Sequence, residues 1–293
     1  MSESVLQLTE KIPIPYVRRI LPCLPEGHQD VRVLEYYISI DNKDKAILVD
    51  EKGILSCKSE YRYAKNRSCG RVYSSMSFQR LSNRTKSKIA AELQRNGIYL
   101  CQLDIVNCFH TITDQILSSE GIENLELLTY CLNRNEIVDN ILQSHPMYTR
   151  KDIKKFFTAA LHGGKGVHGI AQIDQFYYSV KRSLLLLSAT DKYRSVYADV
   201  KSAKKKHKNP NYIGSFVHRI CARVESDAVL YMIEHLKNKY DIHCQSNMYD
   251  GADIIYESEN VPDHILADIS DHVAGRTGHR LEFIQKPWGI YPD

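Results

Sequence analysis

Apolar and polar positions change rhythm several times along these 293 residues, and each change marks an element. VRVLEYYISI (31–40) and KAILVDEKG (45–53) read as the two arms of a hairpin, set in an irregular N-terminal region that Pro13, Pro15, Pro22 and Pro25 punctuate. SFQRLSNRTKSKIAAELQRN (77–96) reads as a helix that closes near Gly97. IYLCQLDIVNCF (98–109) follows as a β-rich run ending in polar residues. Residues 112–144 have a helical, acidic pattern, 148–161 predict a further helix stopped by Gly163-Gly164, and 176–187 another. KSAKKKHK (201–208) reads as a basic loop running into Asn209-Pro210. A long helix is expected over 215–239, then a strand, an Asp-Gly turn and a second strand. The class is α+β, without the simple alternation of βαβ repeats, an internal repeat or a low-complexity linker.

The last of these features admits two readings. In SNMYDGADIIYE (246–257), Asp-Gly between two β-rich runs is a strong hairpin signal, because glycine accepts positive φ without steric cost. Asp250 is then punctuation. A carboxylate at a hairpin tip is also a way to present a metal ligand.

Composition narrows the function classes. The longest apolar run, around Leu184 to Leu187, is too short to cross a bilayer, and the first residues carry acids where a signal peptide needs a basic, then apolar, stretch. The expectation is an intracellular protein with no membrane partner. Eight scattered cysteines lack a CxxC pair, and twelve histidines lack an HExxH pattern, which excludes the usual zinc and disulfide frameworks. Net charge is only +4, but Lys58 to Lys88 holds nine Lys/Arg against Glu60 alone, with Tyr61, Tyr63, Tyr73 and Phe78 interleaved. Tyr249 to Val273 carries seven acids and no Lys or Arg. Such asymmetry points to a polyanion partner, with a solvated basic surface as the alternative.

Three segments carry candidate chemistry. Asp104 emerges from the apolar run LDIVNCF. In TRKDIKKFFTAALHGG, Arg150 and Lys154 are four apart on one helix face, and His162 lies about two turns on, before Gly163. Such a stripe suits a triphosphate and a stacked base; a solvated amphipathic helix has the same pattern. The third segment is Tyr249-Asp250-Gly251.

Their order resembles the palm and fingers of family A DNA polymerases and the phage-type single-subunit RNA polymerases. Those families carry a strand Asp (motif A), R-x3-K-x7-Y-G on a fingers helix (motif B) and His-Asp on a hairpin (motif C). Here Asp104 matches motif A. Arg150, Lys154, His162 and Gly163 match motif B with His in place of Tyr, and Tyr249-Asp250 matches motif C with Tyr in place of His. ICARVESDAVLYM (220–232) resembles the helix before motif C, and GRVY…LSNRTKSKI (70–89) a basic, template-contacting stretch. The likeness covers roughly 65–257.

It implies an antiparallel palm sheet with a catalytic hairpin, helical fingers over about 112–214 and a reduced or absent thumb, with 1–60 as an N-terminal region and 61–293 as palm and fingers. It further implies template-directed nucleotidyl transfer with two Mg²⁺ (or Mn²⁺) ions, about 3.5–4 Å apart, held by Asp104 and Asp250. Asp253 is a possible further ligand, because Gly251 stands where family A enzymes have a second acid; this position is expected to reduce activity. Arg150 and Lys154, the latter catalytic, would meet the triphosphate, and His162, Gly163 and Phe109 the nucleotide. Arg71, Arg80, Arg84, Lys86, Lys204, Lys205 and Lys206 would grip nucleic-acid phosphates.

Phe109, five residues past Asp104, lies where reverse transcriptases place a steric gate against the ribose 2′-hydroxyl; the alternative is a core residue at a strand end. Partners are a template and primer and nucleoside triphosphates. A single-subunit RNA polymerase or primase, a reverse transcriptase, and a non-catalytic nucleic-acid-binding palm protein are the alternatives.

Overall fold

The structure, a computed structural model, describes residues 6–43, 49–63, 71–164, 169–205, 208 and 210–288. The chain forms two compact units: residues 1–106 with 225–293, and residues 107–224.

The first unit holds two antiparallel sheets. β1 (Leu6–Pro13) and β2 (Ile54–Tyr63) pair in register from Leu6↔Tyr61 to Pro13↔Ile54, and β3 (Val72–Tyr73) adds a short third strand. β2 alternates strictly: Leu55, Cys57, Ser59 and Tyr61 point inward while Lys58, Glu60 and Arg62 face out. The basic run of the sequence is thus, in part, the outer face of a strand. The second sheet has the order β5-β6-β4-β7, formed by β4 (Tyr99–Ile105), β5 (His243–Met248), β6 (Gly251–Tyr256) and β7 (Phe283–Lys286). The Gln245 side chain bonds both the N–H and the C=O of Lys11, at 2.7 and 3.0 Å, and so ties β5 to β1. Around the sheets lie α1 (Ile14–Ile20), α2 (Val31–Lys43), α3 (Asn83–Arg95) and α10 (Asp263–Thr277), and a core gathers Ile12, Leu34, Tyr37, Phe78, Ile89 and Leu93.

The N-terminal region differs from its sequence reading. Residues 31–40 belong to helix α2 rather than to a hairpin arm. Val33, Leu34, Tyr37 and Asp41 are its buried positions, a spacing of one, four and eight that fits a 3.6-residue turn. Of the second arm, 44–48 lies outside the described residues, and Val49 makes a single bridge to Leu55. Pro13 ends β1 and Pro15 opens α1, where a missing N–H costs nothing.

The second unit is helical: α4 (Cys108–Ser119), α5 (Leu125–Ser144), α6 (Arg150–Leu161), α7 (Ala171–Leu187) and α8 (Asp191–Lys204), with α9 (Tyr212–Tyr240) beginning here and ending in the first unit. The stretch read as a basic loop, 201–208, starts inside α8. Lys206 lies outside the described residues. A capping box of Thr149 and Asp152 starts α6, and Gly163, at φ +63°, ends it. The core stacks Tyr130 on Phe157 at 4.2 Å beside Phe176 and the buried His110, whose pKa burial lowers to about 3. No described helix is long and apolar enough to cross a membrane.

One buried acid in the first unit has a measurable consequence. Glu10 accepts from Tyr37 Oη at 2.5 Å, Tyr61 Oη at 3.3 Å and Phe78 N at 3.0 Å, yet burial outweighs these bonds and raises its pKa from 4.5 to about 7. An acid raised in the folded state gives stability that is complete below pH 4.5 and lost as pH climbs through 7, here by ~3 kcal/mol. Urea denaturation of wild type and Glu10→Gln should show the wild type losing stability relative to the variant between pH 4.5 and 7.5; parallel curves would contradict this.

Candidate active site

The register of β4 on β6 builds the site. Asp104 pairs with Gly251, and Gly251 pairs with Met248 across the hairpin, so the two-residue loop is Tyr249-Asp250. The Asp-Gly turn expected from the sequence is therefore displaced by one residue. None of Tyr249, Asp250 and Gly251 has a positive φ. Glycine is required here for another reason: a Cβ at Gly251 would lie 1.9 Å from the Leu103 carbonyl oxygen and 2.9 Å from Asp104 Cα. Without it, β6 approaches β4 closely, and Ile105 N–H donates to the Asp250 carbonyl at 2.8 Å. The position leaves no room for any side chain, so the second acid expected from the family pattern has no place there.

This approach brings Asp104 and Asp250 side by side, their carboxyl groups within hydrogen-bonding reach. Asp104 is 8% exposed. Burial raises its pKa to about 6, the Asp250 charge adds to the rise, and the Lys286 ammonium, in contact with Oδ2, opposes it. Asp253 lies one pair further along the same face of the sheet, opposite Gln102 and Ser246. It is fully buried, accepts from Ser246 Oγ at 2.7 Å and keeps its other oxygen without a hydrogen-bond partner. Burial lifts it too to about 6, against the nearby Lys86 charge.

Side chains from three directions fasten the hairpin. Gln79 donates to the Asn247 carbonyl at 2.8 Å. Arg71 forms a bidentate pair with the buried Glu225, at 2.5 and 2.8 Å, and its guanidinium lies 4.8 Å from the Tyr249 ring centre. Tyr249 meets Tyr73 edge-on at 5.7 Å, and both rings are more than a third exposed. Lys86 comes from α3, its Nζ 3.2 Å from Met248 Sδ. The sequence places Lys86 among phosphate contacts; only 2% of it is exposed, and its charge serves the buried carboxylates Asp253, Asp30 and Glu10 instead.

The remaining basic residues are more open. Arg80 lines a groove of about 1080 Å³ with Arg32, Lys58, Arg62 and Tyr73, against Glu60. Arg84 is exposed at the start of α3. In the second unit, Lys205 is exposed and Lys204 half-exposed at the end of α8.

The second unit also gathers the residues assigned to a nucleotide. Arg150, Lys154 and His162 line one concavity of about 740 Å³ on α6, with Lys151, Lys155 and Thr158. Arg150 is paired to Asp139 and donates to Asn135 at 2.8 Å, an exposed arrangement worth at most about 1 kcal/mol. Phe109 is not at a strand end: it is half-buried on α4, its ring 5.3 Å from His162 and 6.0 Å from His218. Asn211 fixes the His162 carbonyl at 2.7 Å. Sequence reasoning gave no role to His218, Gln79 and Lys286, which carry no motif of their own, nor to Glu225 within the 220–232 stretch.

Among the described residues no three His, Cys, Asp or Glu side chains converge as a metal cage. The Asp104–Asp250 pair nonetheless fits Mg²⁺, which takes one or two carboxylates and completes its shell with water and phosphate oxygens. Two adjacent carboxylates, one raised by burial and further by the charge of the other, are relieved by a cation between them.

Neither a family model nor a curated protein matches the chain. Among solved structures, the POL domain of Pol1 from M. smegmatis, in complex with DNA primer-template and dNTP, aligns over 93% of this chain at 10% identity and a TM-score of 0.46. This chain spans about 55% of that one.

Gly251→Ala should lower the urea midpoint by the equivalent of about 2 kcal/mol or more, since backbone rather than a flexible side chain blocks the new methyl. An unchanged midpoint would contradict the close approach.

Proposed function

We propose that this chain is a template-directed nucleotidyltransferase of the DNA polymerase kind, with Asp104 and Asp250 as its metal-binding carboxylates. The observation that supports this most is their meeting at the end of β4 and the tip of the β5–β6 hairpin. On this reading the first unit is a palm, the second the helical fingers, and the thumb is reduced or absent. Bound Mg²⁺, or Mn²⁺, would activate the 3′-hydroxyl of a strand and hold the incoming triphosphate. The displaced second acid does not weaken the proposal, because Gly251 serves the approach that joins the two carboxylates. Asp253, engaged by Ser246 beside Lys86, is better read as a support of the hairpin than as a ligand.

The chain's own residues then have distinct tasks. Asp104 and Asp250 orient the cations, and Lys286 tempers the charge of Asp104. Lys154, with Arg150, neutralises the triphosphate as charge builds on the leaving pyrophosphate. His162, Gly163 and Phe109 meet the base and sugar, with Phe109 as the gate against a 2′-hydroxyl. Arg80 and Arg84, with Lys204 to Lys206, grip backbone phosphates, which gives salt-sensitive and sequence-independent binding, while Arg71 stays with Glu225 as a support of the hairpin.

Primer extension on DNA and RNA templates, with dNTPs and NTPs compared under Mg²⁺ and Mn²⁺, tests the reading. Asp104→Asn and Asp250→Asn should each lower extension about 1,000-fold or more while oligonucleotide binding persists. A wild-type chain that binds nucleic acid but extends nothing would leave a non-catalytic binding protein instead. Phe109→Val should raise NTP incorporation relative to dNTP; an unchanged ratio would return Phe109 to a packing role.

A further inference from the structure

A second groove, of about 710 Å³, lies at the other edge of the catalytic sheet, between α3 and β7. Arg19, Lys88, Arg95 and Lys286 line it, with the rings of Tyr16 and Trp288. Among the described residues Glu259 is the one acid in its lining, and the Gln94 side-chain amide donates to that carboxylate. Glu92, behind the rim, is shared by Arg19 at 3.7 Å and Arg95 at 2.7 Å, yet both arginine side chains stay about two-thirds exposed. The Arg19 guanidinium stands 5.0 Å from the Tyr16 ring centre. Trp288 is pinned by a 2.7 Å bond from its indole N–H to the Leu100 carbonyl, so its ring is held rather than free. Lys286 belongs to both places, lining this groove and touching Asp104.

We propose that this groove binds a single strand of nucleic acid, leading it to or from the Asp104–Asp250 pair. Cations spaced along a groove follow a phosphate backbone, and fixed aromatic rings between them offer stacking faces to any base. Lys286, which lines the groove and touches Asp104, joins it to the carboxylate that would bind the reacting end. The inference rests on the polymerase reading for its direction, but its binding test does not require catalysis.

Trp288 is the only tryptophan in the chain, so its emission reports on this groove alone. Titrating a dT oligonucleotide into the full chain should quench that emission saturably and less strongly at high salt. Arg19→Ser/Arg95→Ser, two exposed positions, should raise the dissociation constant read from quenching about tenfold while the free spectrum and circular dichroism stay unchanged. A fluorescein-labelled oligonucleotide that binds by anisotropy without quenching Trp288 would overturn the proposal. So would equal quenching in the double variant, or a response to free dNTP as strong as to the oligonucleotide, which would make this a mononucleotide pocket. A chain that quenches normally but never extends a primer refutes the polymerase reading and leaves the groove; one that extends without quenching does the reverse.

Discussion

The site depends on one close approach, that of β6 to β4 at Gly251. The Leu103 carbonyl oxygen occupies the space where a Cβ would stand. That absence sets the β4–β6 register, and the register lets Ile105 N–H reach the Asp250 carbonyl and brings the Asp250 carboxylate against Asp104. A shift by one residue would turn Asp104 to the opposite face and dissolve the pair. Glycine at 251 is thus a condition of the carboxylate pair, where the family pattern alone had marked it as a missing ligand.

Around this approach the first unit concentrates buried charge. Asp104, Asp253 and Glu10 all have raised pKa values, and in each burial outweighs the hydrogen bonds and cations that favour ionisation. Lys86 is lowered by the same cause. Such burial is costly for stability. Its structural return is a hairpin held from beneath by Lys86, from the side by Gln79 and at the tip by Arg71 and Glu225. Rigid support of this kind keeps two like charges together before any cation arrives.

Much of this was legible in the sequence, for physical reasons that differ by element. Asp104 stands out as a charge at the end of an apolar strand, and Asp250 as an acid between β-rich runs, so both signals are local. The body of α3 and its end at Gly97 follow from spacing and a left-handed glycine, but the helix starts at Asn83 rather than 77, because Phe78–Arg80 forms a separate 3₁₀ turn and Ser82 caps the helix. The turn lies one residue before the Asp-Gly pair that propensity favours, because a close approach to Leu103 claims that glycine for β6. Residues 31–40 read as a strand because β-branched and tyrosine residues favour one, even where their burial has helical period. Lys86 resembled its basic neighbours; only the packing of α3 on the sheet shows that it points inward. Lys286 carried no signal at all, since its meeting with Asp104 is a product of β7 pairing with β4.

On the proposed reading Asp104 and Asp250 form one divalent-ion site. Counting bound Mn²⁺ by electron paramagnetic resonance, in the presence of a nucleoside triphosphate and with free Mn²⁺–nucleotide subtracted, tests it most directly. The wild type should hold protein-bound Mn²⁺, displaced by excess Mg²⁺, and Asp250→Asn should lose it with the fold intact. Equal Mn²⁺ occupancy in wild type and Asp250→Asn would contradict it.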